Sequence, residues 1–262
     1  MSPSDGGSTA APGVDDEPTQ GHINNTAQAY AQVRRAIMTS ELRPGQIISQ
    51  VRLAAQLNIS RTPLREALRQ LQTEGLLEGD FNRRVRVAPM SIEDLEQIAA
   101  MRITLESLGV RSSVPRLTHA DLARAEAACQ AMDECYAARF SEGRNFRDPH
   151  RVFHTTLFGQ VGSRMRAQLE DLWDHAERYR TFYFETAPSV DTIAHIGHDE
   201  HAAILAAAQR RDGQECGILI ARHLARTALT SLARIDAAHD PWLVREAVRL
   251  ATSGTATSTK AN

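Results

Sequence analysis

His150 and His154 stand four residues apart in FRDPHRVFHTTL, a spacing that sets two imidazoles on one face of a helix. Two further histidines have similar surroundings. His201 opens EHAAILAAAQRRD, beside Ile204 and Leu205, and His223 lies in ILIARHLARTAL, beside Leu219 and Leu224. One histidine on an apolar face is usually a packed core residue. Four from three neighbouring helical segments can instead close a site of neutral nitrogen donors, which suits Zn²⁺, Ni²⁺, Cu²⁺ or Fe²⁺. Hydrolysis at such a metal would need an acid–base group beside it. No HExxH occurs, and Glu200 is the one carboxylate placed next to a candidate ligand. Successive helical residues diverge by roughly 100°, which should point Glu200 away from the metal beside His201, so an enzyme is not expected. A metal-dependent hydrolase and a metal sensor remain as alternative readings of the same histidines.

The elements that must position these residues can be read from the rest of the chain. At 262 residues, with 24% charged and 42% hydrophobic content, it is long enough for two domains with separate cores. No apolar run approaches the roughly 18 residues of a membrane span. The first residues, MSPSDGGSTAAPGVDDEPTQG, lack the basic and apolar regions of a signal peptide. A cytoplasmic protein with no membrane partner is expected. Cys129, Cys135 and Cys216 are odd in number and lack CxxC spacing, so buried free thiols are expected rather than disulfides.

Charge is unevenly spread. Residues 1–26 carry four acids and no Arg or Lys, and residues 27–90 carry ten arginines against five acids. The remainder has twenty basic and twenty-three acidic residues. A compact basic module joined to a mildly acidic one suggests that the first meets a polyanion.

Residues 1–25 and 252–262 are expected to be disordered tails. Between them, residues 26–90 read as three helices and a hairpin. Tyr30, Val33, Ile37 and Met38 share a helical face, and Val51, Leu53, Ala54 and Leu57 are set for burial in a second helix. SRTPLREALRQLQTEG starts on a Ser/Thr cap, has Pro63 in its first turn, and carries an inward stripe of Leu64, Leu68 and Leu71. Val85 and Val87 then alternate with Arg84 and Arg86 in a hairpin turning near Gly79–Arg83. The plan is a winged helix-turn-helix. Residues 91–251 read as an antiparallel all-α bundle, so the fold class is mainly α.

In the third helix Arg61, Arg65 and Arg69 recur every four residues opposite the leucine stripe. Guanidinium suits bidentate contact with guanine or phosphate, and Ser60 and Thr62 stand where a helix N-terminus can bind phosphate. NISRTPLREALRQLQTEGLLE resembles the recognition helix of the GntR family of bacterial transcriptional regulators, and the resemblance runs from Ala27 to Met90. It implies that Ser60, Arg61, Thr62, Arg65 and Arg69 touch double-stranded DNA, and that the wing, through Arg83, enters the minor groove. It also implies a homodimer on a palindromic operator. Arg84 stands where the family has a glycine.

HRVFHTTL, EHAAILAA and RDGQECGILIARHLARTAL are similar to the FCD domain, the effector-binding bundle of the FadR-type branch of that family. Many members hold a divalent metal with one Asp and three His, and the three histidines match His154, His201 and His223. The Asp position is here His150, with Asp148 two residues earlier as the alternative. The implied site is His150, His154, His201 and His223 around a divalent ion such as Zn or Ni. MRITLESL resembles the family's Arg-x-x-x-Glu stretch and puts Arg102 at the mouth of a ligand cavity, unless Glu106 simply pairs with it. DHAERYRTFY is similar to members that respond to small carboxylic acids, which makes Arg178, Arg180 and Tyr179 candidates for an effector carboxylate. His195 and His198 are read as exposed. The expected function is a ligand-responsive regulator, acting as a repressor.

Overall fold

The computed structural model describes residues 20–80, 84–137, 146–185 and 190–253. By backbone proximity the chain divides into two units. One joins Gln46–Ala88 to the chain up to Ala36, and the other joins Ile37–Gly45 to everything from Pro89 onward.

The first unit is built on three helices, α1 (Gln20–Met38, up to Ala36), α2 (Gln50–Leu57) and α3 (Arg61–Thr73). α1 begins at Gln20, so residues 20–25, expected to belong to a disordered tail, are helical. Once a helix is nucleated each added residue gains a hydrogen bond at little further cost, and no Pro or Gly pair follows Gly21 to stop it. Ser49 caps α2 by accepting from Arg52 N, and Asn58, at φ 54°, ends it. α3 buries Leu64, Leu68 and Leu71 completely. Val51, expected inside, is 55% exposed. It sits in the first turn of a short helix whose inward face is already filled by Leu53 and Ala54.

The expected hairpin is part of a three-stranded antiparallel sheet, ordered β1 (Ile47–Ile48), β3 (Arg84–Val87), β2 (Leu77–Asp80). Val85 and Val87 are buried and Arg84 and Arg86 exposed, the alternation of a half-buried strand. Gly79 has φ +109°, and a Cβ there would lie 2.1 Å from the Arg84 carbonyl oxygen, so only glycine fits. Residues 81–83 lie outside the described residues, and with them Arg83.

The second unit is helical: α4 (Ile92–Ser113), a 3₁₀ turn at Val114–Arg116, α5 (His119–Ala137), α6 (Arg147–Leu157), α7 (Ser163–Glu185), α8 (Val190–Gln209), α9 (Gly213–Ile235) and α10 (Trp242–Thr252). Ser91 caps α4 by accepting from Asp94 N at 3.2 Å. α4 is the central helix and packs on α7, α9 and α10, while α5 packs on α6 and α8. Gly217 lets α9 approach closely, since a Cβ would sit 2.5 Å from the Arg111 side chain. Ile103, Phe153, Leu157, Leu169 and Ile220 fill the interior at 0% exposure. The three cysteines are buried and form no disulfide with one another, as expected. No described helix is long and apolar enough to cross a membrane.

Candidate functional site

α6 carries His150 and His154, α8 carries His201 and α9 carries His223, and packing of these helices brings the four rings together. Each offers one ring nitrogen to a group whose atoms all lie within 4.8 Å of one another. All four side chains are buried. Ring centroids are 4.8 Å apart for His150 and His154 and 4.6 Å apart for His201 and His223. His150 Nδ1, His154 Nε2 and His201 Nε2 are buried without a hydrogen-bond partner. Orphaned polar atoms are costly in a core, and three of them aimed into one cluster are what a site for a cation leaves when its own groups are considered alone. Asp148 is exposed in the first turn of α6, apart from the cluster.

Two carboxylates, Glu106 fully buried and Glu200 half-buried, orient the rings. Glu106 Oε1 lies 2.6 Å from His154 Nδ1, and Glu200 Oε2 lies 2.7 Å from His223 Nδ1. Burial would raise the Glu106 carboxyl, but Arg102 and His154 outweigh it and hold it at about 2. Burial pushes His154 down to about 4 despite Glu106. The pair is therefore an ionised carboxylate and a neutral imidazole. A carboxylate only accepts, so His154 carries its hydrogen on Nδ1 and turns the Nε2 lone pair inward. His150 and His201 are likewise held well below the ordinary histidine value, by burial first and by neighbouring histidines second. Glu200 is drawn down to about 2 against burial by His223 and Arg226. His150, His154 and His201 thus present neutral nitrogen donors at neutral pH, which fits a borderline divalent metal.

Each carboxylate is braced by an arginine. Arg102 Nη2 donates to Glu106 Oε2 at 3.0 Å, one turn along α4. Arg226 Nε and Nη2 both donate to Glu200 at 2.6 Å. The expectation that Glu200 points away from the site is thus corrected. It does turn from His201, but into the ring of His223 on α9, a contact between helices that spacing along α8 cannot reveal. Arg226, three residues after His223, was missed for the same reason.

Beside the cluster lies a small pocket that opens to solvent. Arg102, His150, His223, Trp173, Tyr179 and Arg180 are among its lining residues. The Arg102 guanidinium stacks 4.4 Å above the Trp173 ring. Arg102 Nε and Trp173 Nε1 are buried without a partner. Arg102 therefore lines the cavity and also pairs with Glu106. Arg178 is placed differently from the expectation. It does not line the pocket, and Arg178 Nη2 donates to the Pro89 carbonyl at 3.3 Å. Ala176 also lines the pocket, and Arg180, four residues further along α7, shares its helical face, which Arg178 does not. Tyr179 lines the wall, but its hydroxyl donates to Asp94 at 2.6 Å and accepts from Ser91 N at 3.3 Å. Arg180 Nε donates to Glu177 at 2.6 Å. Trp173 was not singled out from sequence. His198 is exposed and bonds Asp133, and the side chain of His195 lies outside the described residues.

In the other unit Ser60, Arg61, Thr62, Arg65 and Arg69 are all exposed along α3, opposite its buried stripe. Ser60 occupies the N-cap without a side-chain cap bond. Arg69 pairs with Glu66 at 2.7 Å.

Residues 25–87 match the gntR family of bacterial regulatory proteins and residues 97–226 match the FCD domain. The chain is 31% identical over 183 residues to the Nta operon transcriptional regulator of Aminobacter aminovorans, covering 70% of this chain and 82% of that protein. It is 29% identical over 206 residues to the HTH-type transcriptional repressor GlaR of Escherichia coli, covering 74% and 90%. The solved structure of E. coli McbR/YncC is similar with a TM-score of 0.71 at 21% identity, covering 81% of this chain and 99% of that one, a likeness of fold. These domains and relatives are those of transcription regulators, not of enzymes. The chain belongs to the GntR family of bacterial transcriptional regulators, with an FCD domain as its helical part.

Proposed function

We propose that this regulator binds a palindromic operator as a homodimer in the cytoplasm, represses from it, and is released by a small carboxylate bound beside a divalent metal. His150, His154, His201 and His223 hold the metal, and Asp148 stays outside. Four imidazoles carry no charge, so they favour Zn²⁺ or Ni²⁺ over Mg²⁺ or Ca²⁺. The metal supplies a positive charge facing the pocket.

The observation that carries the effector reading is the pocket itself. It brings His150 and His223 of the cluster to one wall with Arg102, and leaves Arg102 Nε and Trp173 Nε1 without partners. Two buried donors and a cation suit an anionic oxygen ligand. A pure metal sensor has no need of such a cavity. Arg61, Arg65 and Arg69 with Ser60 and Thr62 form the base- and phosphate-contacting face, Arg83 reaches from the wing, and Arg102 with Tyr179 faces the effector. The repressor named GlaR, similar over most of this chain, supports the sign of regulation.

A gel-shift with promoter fragments flanking the protein's own gene tests the reading. A retarded dimer complex is expected, released by a carboxylate only in metal-loaded protein. Failure to bind any palindrome there, with or without metal, would sink it. Binding controlled by metal alone, indifferent to carboxylates, would favour the sensor.

A further inference from the structure

Among the described residues the site has two arginine–carboxylate–histidine chains, and the arginine of only one reaches the pocket. In the first, Arg102 Nη2 donates to Glu106 Oε2 at 3.0 Å and Glu106 Oε1 meets His154 Nδ1 at 2.6 Å. In the second, Arg226 donates to Glu200 at 2.6 Å and Glu200 Oε2 meets His223 Nδ1 at 2.7 Å. Arg102 lines the pocket, whereas Arg226 lies away from it, on a groove shared with Val244 and Val248 of α10. The Glu106 side chain is fully buried and that of Arg102 is 12% exposed. The carboxylate thus has no solvent to fall back on, while its arginine remains within reach of a ligand.

We propose that Arg102 and Glu106 form a relay by which an anion in the pocket tightens the hold of the four histidines on their metal. The inference rests on the reading of the pocket as a carboxylate site. Arg102 has one guanidinium to divide between Glu106 and a bound anion. As the anion draws on it, Glu106 loses part of its neutralising partner and becomes a stronger acceptor toward His154 Nδ1–H. A stronger bond at Nδ1 increases electron density at Nε2, the nitrogen left free for the metal, and so raises ligand basicity. By linkage the metal tightens anion binding by the same factor. Attraction between metal and anion through space would have the same sign, so the relay must be separated from it. Glu106 is a positioning residue here, since it touches neither ligand.

The test is metal affinity, measured on full-length protein by competition with a chromophoric chelator for Zn²⁺, with and without saturating succinate or citrate. In wild type each bound probe should tighten Zn²⁺ by about five-fold or more. Glu106→Gln keeps the shape and an acceptor for His154, but it carries no charge to be released. It should bind Zn²⁺ about 10-fold or more weakly and show a much smaller probe effect. Glu200→Gln should also weaken Zn²⁺ and yet keep the full probe effect, because its arginine is off the pocket. Should Glu106→Gln fail to fold, Arg102→Gln decides. Without probe it should already hold Zn²⁺ more tightly than probe-free wild type, because Glu106 is released from its partner, and an affinity equal to or below wild type would overturn the relay. Probe binding with unchanged Zn²⁺ affinity, or full coupling in Glu106→Gln, would overturn the relay alone. Failure of succinate, citrate and acetate to bind metal-loaded wild type would overturn the effector reading beneath it.

Discussion

Glu200 Oε2 lies 2.7 Å from His223 Nδ1, and the same carboxylate receives two hydrogen bonds from Arg226. This fixes the ring so that only Nε2 can face the cluster. Replacing Glu200 with Ala should therefore weaken metal binding by about 10- to 100-fold while leaving four histidines in place. His223→Ala removes a donor outright and should cost more. Isothermal titration with Ni²⁺ separates the two. Equal affinities for Glu200→Ala and wild type would show that the carboxylate does not orient the ring.

His150 and Asp148 compete for the first ligand position. His150 is 8% exposed, and its ring packs against those of His154, His201 and Trp173, whereas Asp148 is at the surface. His150→Ala should leave purified protein with much less metal by elemental analysis, and Asp148→Ala should retain the wild-type content. The reverse pattern would reassign the ligand.

How much of this was legible in the sequence depends on whether a residue's role is local. The α3 arginines, the leucine stripe and the Ser91 cap depend on spacings of three or four residues, and all stand where the spacing puts them. The His cluster was legible because four rare side chains on apolar faces need a common reason. Glu106, Glu200 and Arg226 were not legible as ring-holding groups. Each acts on a residue of another helix or through one, and many helical surfaces carry charged pairs at such spacings. β1 was missed because two residues, Ile47 and Ile48, make too short a run to show any period. Arg178 and Arg180 could not be separated without knowing which side of Tyr179 meets the cavity.

Acidification should unfold metal-free protein from a fairly high pH. His154 is held at about 4 in the fold against 6.5 when free, so between those values the unfolded chain takes up a proton that the folded one refuses. Stability present above pH 6.5 is lost as pH falls toward 4, on the order of 3 kcal/mol from His154 alone. Glu106, at about 2 against 4.5, adds a second loss below pH 4.5. Urea denaturation at several pH values, after exhaustive chelation, should show this decline. Zn²⁺ should flatten it above pH 6 by mass action. A flat profile between pH 7 and 5 without metal would contradict neutral buried imidazoles.

On α3 the three arginines should not contribute equally. Arg61 and Arg65 are exposed, and Arg69 is drawn to Glu66 at 2.7 Å. Arg65→Ala should cost about 1–3 kcal/mol of operator affinity if it reads a base, with relaxed discrimination at that position. Arg69→Ala should cost less, because the free protein already satisfies it. Fluorescence anisotropy across a salt series would check both, and a larger loss for Arg69 would reverse the assignment.

Trp173 reports on the metal without any label. Its ring centroid is 5.1 Å from that of His150 and 5.0 Å from that of His154, and it is 1% exposed. The only other tryptophan, Trp242, is 58% exposed on α10. In a Trp242→Phe background all indole emission therefore comes from beside the cluster. Ni²⁺ or Cu²⁺ held by the four rings would lie within contact range of the indole and should quench it strongly, with saturation at one ion per chain. Zn²⁺ has a filled d shell and should change the emission little while blocking the quenching by Ni²⁺. His154→Ala should abolish the saturable quenching. If Ni²⁺ quenches Trp173 only collisionally, without saturation or competition by Zn²⁺, the histidines do not bind it.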